Sequence, residues 1–216
     1  MVIGILIALQ INNWNEYQKE RKTELKVMTE LVENLQANIQ RLQIMIERGN
    51  IDNQSADIII SVLDNRLPYT DSINNHFYFA LNPVDEGSFL SFVGYEYLKN
   101  TGFEIIHDER LKKKIINLFE GSYKDLQAKY NRINAVSTPN LSKFREENFL
   151  FQVDTVHQTM GHWPLDLMAL IKNGRLKSKL EETRGVRLWI NSSLLQSLED
   201  TQNVLKHLEG KLTKPD

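Results

Sequence analysis

Cysteine is absent from the 216 residues. That excludes disulfides, thiolate metal sites and a cysteine nucleophile, and it is compatible with an oxidising compartment. Glycine and proline are scarce, at 10 and 5 residues. So few breakers favour long uninterrupted elements over a turn-rich sandwich or barrel. Charge of one sign is also lacking: 26 basic residues face 28 acidic ones, for a formal net charge of -2. No electrostatic case for a nucleic-acid partner follows from that balance. The one compact basic run, Lys112-Lys113-Lys114, lies in a helical pattern beside Glu109 and Glu120 and reads as a solvated face. Internal repeats, low-complexity tracts and flexible linkers are missing too.

What is present is ordinary for a globular chain, with 41% hydrophobic and 25% charged residues. The length suits one domain with a real core. The first feature is Val2 to Ile11, VIGILIALQI, apolar except for Gly4 and Gln10. A bilayer-spanning helix needs about 20 apolar residues, so this run supplies about half of one. No basic segment precedes it and no small-residue cleavage pattern follows it, which excludes a signal peptide. Beyond it come Trp14 and Tyr17 among Asn12, Asn13 and Asn15, then Glu16, Lys19, Glu20, Arg21 and Lys22. Aromatics at that place suit a membrane exit. From these residues alone, two readings stand: the second half of a span, or a helix packed into the core.

From Leu25 a single apolar seam emerges. Leu25, Met28, Val32, Leu35, Ile39, Leu42 and Ile46 alternate spacings of three and four, as a and d positions of a heptad do. Gly49-Asn50 offers a stop. Towards the other end, Leu194, Leu198, Thr201, Leu205, Leu208 and Leu212 repeat the pattern on a helix expected to begin near Ser178. Matching seams at both ends predict an all-α helical bundle whose long N- and C-terminal helices pack antiparallel. Between them, helices are expected over Ser55 to Leu63 and over Ser88 to Thr101, the latter stopped by Gly102, while His76 to Phe79 fits strand or helix, with helix preferred. Asp108 then caps a helix whose inner face carries Leu111, Ile115, Leu118, Leu126 and Ile133. Further helices are expected to start at Ser137-Thr138-Pro139 and at Trp163-Pro164, the latter closing at Asn173-Gly174.

The string Val2 to Glu16, VIGILIALQINNWNE, resembles the signature of a large, functionally uncharacterised family of single-pass, membrane-anchored bacterial proteins. Tyr95-Glu96-Tyr97-Leu98-Lys99-Asn100-Thr101-Gly102, with Ile106 and Asp108 to Ile116, is similar to that family's Tyr-x-x-Leu-x-x-x-Gly hairpin and following helix. The C-terminal leucine-rich helix matches in placement. The resemblance implies that residues 1–15 are a truncated transmembrane helix and 16–216 a helical bundle outside the inner membrane, in the periplasm. It brings no activity with it. The basic N-terminal segment and first half of the span that the family carries are not in this chain.

Chemistry is harder to find. His157 and His162 are five apart, which puts them on different helical faces rather than at the four-residue spacing of a helical metal pair. Asp154 and His157 share a face, a spacing common by chance. Glu146-Glu147 are neighbours rather than facing carboxylates, and reads as solvated surface. No Gly-x-Ser-x-Gly elbow and no phosphate-binding Gly-x-x-x-x-Gly-Lys-Ser/Thr loop occurs. Catalytic, cofactor and metal residues are therefore assigned to none, and no cofactor is expected. The aromatic set Phe77, Tyr78, Phe79, Phe89, Phe92, Tyr95 and Tyr97 reads either as core or as the wall of a ligand pocket or partner groove. The expected role is non-catalytic interaction or assembly in the cell envelope, with the lipid bilayer as one partner and a second copy or an envelope protein as another. An extracytoplasmic ligand-sensing domain is the alternative, and an enzyme the weakest class.

Overall fold

A computed structural model describes residues 2–83, 90–154, 159–172 and 174–213. The chain is overwhelmingly helical. In order it forms α1 (Val2–Leu63), α2 (Ile73–Ala80), α3 (Val93–Thr101), a 3-10 turn (Phe103–Ile105) and α4 (Glu109–Ile116). A π-helical segment (Asn117–Tyr123) then leads into α5 (Lys124–Asn148), β1 (Phe149–Asp154), β2 (Thr159–Pro164), α6 (Leu167–Lys172) and α7 (Arg175–Thr213). Two compact units result. The first comprises Met1–Gln40, Leu90–Lys124 and Ser197–Asp216; the second comprises Arg41–Phe89 and Asp125–Gln196.

Several expected boundaries move. Gly49-Asn50 does not stop a helix: α1 runs on through it, and the expected helix over Ser55 to Leu63 is its last part. Nor does Pro139 start one, since it lies inside α5. Proline has no N–H to offer the Ala135 carbonyl, but both residues are exposed, and Asn140 Nδ2 donates to the next carbonyl, Val136, at 3.0 Å. Trp163-Pro164 ends a strand rather than beginning a helix, and α6 starts at Leu167. Pairing is antiparallel, with Phe149 opposite Pro164, Phe151 opposite His162 and Val153 opposite Met160. The aromatic and β-branched residues Phe149, Phe151 and Val153 favour the pleated form. The helix expected over Ser88 to Thr101 begins only at Val93: Leu90, Ser91 and Phe92 are not helical, and Ser88 and Phe89 lie outside the described residues. Asn173 also lies outside them.

In the first unit, Val27, Met28, Leu31 and Leu35 of α1 form one core with Tyr95, Leu98, Ile106, Leu111, Phe119, Tyr123, Val204 and Leu208. The π segment sets which residues reach it. Leu111, Ile115 and Leu118 keep helical spacing, and the buried series then resumes one residue later at Phe119, Tyr123 and Leu126. One inserted residue is what a π turn supplies. Ser122, turned aside, donates to Asp200 Oδ2 at 2.6 Å instead.

The start of α3 is held by two asparagines of α1. Asn38 accepts from the Ser91 N–H at 2.7 Å and donates to the Ser91 carbonyl at 2.8 Å. Asn34 donates to the same carbonyl at 3.1 Å and accepts from the Gly94 N–H at 3.2 Å. At the other end Gly102 has φ 102°, ψ 137°, a conformation that L side chains rarely adopt. We expect Gly102→Ala to cost about 1–3 kcal/mol, read as a lowered melting temperature. The added Cβ meets only the movable end of Glu104, so backbone strain is the cause.

Asp108 caps α4 as expected, accepting from the Leu111 N–H at 2.9 Å. It also pairs with Lys211 at 3.0 Å and His207 at 3.5 Å. The Leu111 N–H, opposed by burial and helped by Lys211 and His207, lowers its carboxyl from 3.8 to about 2. A depressed carboxylate stabilises the fold fully above its ordinary value, and that contribution is lost as pH falls through about 2. Asp108→Ala should therefore cost about 1–2 kcal/mol at neutral pH. Asp108→Asn, which can still cap, should retain part of that and flatten acid denaturation in this window. An acid melting curve unchanged by Asp108→Asn would refute the assignment.

Candidate functional site

The seven aromatics of the sequence reading fall into two groups. Tyr95, on α3, is buried in the first unit and stacks on Phe119 with centroids 4.5 Å apart and planes 3° apart. Burial, and then Glu120, push its phenol well above the usual tyrosine value. Phe92 meets Phe119 and Tyr123 edge-on at 5.5 and 6.0 Å, and Lys26 Nζ lies 5.4 Å from the Tyr97 ring centre. Tyr123, pushed up to about 12 chiefly by burial, holds its hydroxyl 2.8 Å from Thr201 Oγ1. This group is filled core with a satisfied polar edge. Phe89 lies outside the described residues.

Phe77, Tyr78 and Phe79 belong to the second unit. Phe77 is buried against Phe149 at 5.2 Å, whereas Phe79 is exposed and meets Tyr78 edge-on at 5.3 Å. Tyr78 is only half-buried. Its ring stacks on His162 of β2, with centroids 5.6 Å and planes 17° apart, and lies 6.2 Å from Phe151 of β1. An open cleft of about 410 Å³ is lined by these three rings with Asn82, Ser142, Arg145, Glu146 and Phe149. Strand alternation places His162 and Phe151 on one face of the hairpin. The last turns of α5 bring Ser142, Arg145 and Glu146 to the same cleft.

Two groups there have unmet bonding capacity. His162 is 6% exposed, and its buried Nδ1 has no hydrogen-bond partner among the described residues. Burial first, then the Arg145 charge, lower the ring to about 4, so the imidazole is neutral at ordinary pH. Arg145 donates from Nη2 to Ser142 Oγ at 3.2 Å and makes no other described polar contact. Burial lowers its guanidinium pKa against the opposing pull of Glu146, yet an arginine so placed remains a cation. Sequence reasoning named Tyr78 but missed this pair. The alternation of Phe149, Phe151 and Val153 was the available signal for a strand, and with it the face carrying His162.

Among the described residues no nucleophile–imidazole pair forms at the cleft. Ser142 contacts Arg145 and not an imidazole. The hydroxyl of Ser55 does lie 3.2 Å from His76 Nδ1, but Ser55 is buried and no described carboxylate orients that ring. Among the described residues no group of three His, Asp or Glu gathers to hold a metal ion. His157 and the Asp154 side chain lie outside the described set. No family model matches the chain, and no curated protein or solved structure shows significant similarity to it.

Proposed function

We propose that this protein is held in the inner membrane through its N-terminal helix and carries a non-catalytic helical bundle for interaction or assembly on the periplasmic side. One observation carries the reading. Ile3, Ile5, Leu6, Ile7, Leu9 and Ile11 are all between 53 and 75% exposed, as are Trp14 and, slightly less, Tyr17. Successive helical residues point about 100° apart, so this apolar surface covers every side of α1 rather than one packing face. A helix apolar all round is stable only where something apolar surrounds it, and lipid does so. Burial against the protein begins at Glu24. Among the described residues no helix is long and apolar enough to cross a membrane. The reading therefore requires further apolar residues ahead of Val2.

In this proposal α1 and α7 run antiparallel. Support comes from pairs in the second unit: Asn50 with Asn191, Asp52 with Arg187, Asp57 with Arg184 and Asp64 with Lys177. Numbers rise along one helix as they fall along the other. Met28, Leu35 and Leu42 are buried within the chain, so the heptad seam closes the bundle and an assembly surface must lie elsewhere. Alkaline carbonate extraction of cell membranes from the native gene, with protease added to intact spheroplasts, tests the reading. Retention with digestion from outside is expected. Release into the soluble fraction would overturn the anchor, and retention with protection would overturn the orientation.

A further inference from the structure

We propose that the cleft between Tyr78, Arg145 and the β1–β2 hairpin binds a flat monoanion, an aromatic carboxylate. The inference does not depend on the membrane anchor. Its apolar wall is ring surface: Tyr78 is half-buried and Phe151 is 51% exposed, so both leave aromatic area open to an incoming ring. Its polar end is Arg145, whose guanidinium makes one neutral hydrogen bond and no ion pair among the described residues. A guanidinium has five N–H donors, and a carboxylate accepts two of them side by side. His162 closes the apolar wall as a third ring, 5.6 Å from Tyr78 and 5.4 Å from Phe151 between centroids.

Charge decides between carboxylate and phosphate. The lining holds one cation, a neutral imidazole and the Glu146 carboxylate, so its formal charge is balanced. One anionic charge can face Arg145, whereas a second would meet Glu146 unopposed. The open volume suits a molecule of one or two rings.

The test is isothermal titration calorimetry of the full chain with 1-naphthoate, compared with 1-naphthamide and inorganic phosphate. Saturable binding of naphthoate is expected, with the neutral amide weaker by about tenfold or more. Arg145→Gln should weaken naphthoate by about tenfold while leaving naphthamide unchanged. Phe151→Ala, at an exposed ring, should weaken both compounds and leave the melting temperature unchanged. That second variant keeps the test decisive if Arg145→Gln folds poorly. No saturable naphthoate binding, equal binding of the amide, or phosphate binding as tightly as naphthoate would each overturn the proposal.

Discussion

Replacing Arg187 by methionine is expected to destabilise the second unit by about 3–5 kcal/mol, the largest loss from any single exchange considered. Arg187 is 2% exposed on α7. Its Nη2 donates to the carbonyls of Phe79 at 3.1 Å and Asn82 at 2.5 Å, at and just past the end of α2. The Phe79 carbonyl also accepts the Asn82 N–H at 3.1 Å, so the guanidinium reinforces the turn that closes α2. Nε lies 3.8 Å from Asp52 Oδ2 on α1, so one side chain joins three elements of this unit. Burial lowers its pKa to about 10 against the opposing effect of Asp52, which still leaves a cation at neutral pH. Methionine matches much of the volume but removes both donors and the charge facing Asp52. Chemical denaturation and amide exchange over α2 should register the loss. Adding Asp52→Asn to Arg187→Met should recover part of it, because the buried carboxylate is then gone. Strict additivity of the two substitutions would show that Arg187 and Asp52 are not energetically coupled.

That cluster also explains why the core was only half legible. The expected seam on α1 passed through Leu25, Met28, Val32, Leu35, Ile39, Leu42 and Ile46. Met28, Leu35 and Leu42 are indeed buried, but the alternate members are half-buried and the deeper positions fall one residue earlier. Glu24, Met28, Leu31, Leu35, Asn38, Leu42 and Met45 step by four and three, and the series continues through Gly49 and Asp52 to Ala56 and Ile59. On α7 the same shift occurs: Leu194, Thr201 and Leu208 belong to both series, but Ser197 and Val204 are buried where Leu198 and Leu205 were expected. Apolar counting fails there because the true seams carry Glu24, Asn38, Asp52, Thr183, Arg187, Ser197 and Thr201. Several have a partner that hydropathy cannot reveal, such as Ser91 for Asn38 and Tyr123 for Thr201. Helix type and capping by Gly102 and Asp108 were legible because their signals are local. The hairpin had a local signal in the alternation of Phe149, Phe151 and Val153, but the cleft did not, because it joins α2, α5 and the hairpin, which are distant in sequence.

The same logic makes Gly94 the most demanding backbone position in the first unit. Gly94→Ala is expected to cost about 2–3 kcal/mol, although alanine is the better helix former at an open site. An added Cβ would lie 2.8 Å from the Glu30 carbonyl oxygen and 3.0 Å from Asn34 Cβ. The first contact is with helical backbone of α1, which cannot swing aside as a side chain can. To relieve it, α3 must lift from α1, and the Gly94 N–H would then leave Asn34 Oδ1 while Ser91 leaves Asn38. That costs the buried Asn38 both of its hydrogen bonds to Ser91, so the penalty spreads beyond the single clash. Gly185 on α7 supplies the opposite sign. It is exposed, helical, and has nothing within 4 Å of its added Cβ. Gly185→Ala should therefore stabilise by up to about 1 kcal/mol through helix propensity alone. Thermal melts of the two variants decide the matter. If both move the midpoint in the same direction, close approach of α3 to α1 is not what glycine serves at position 94.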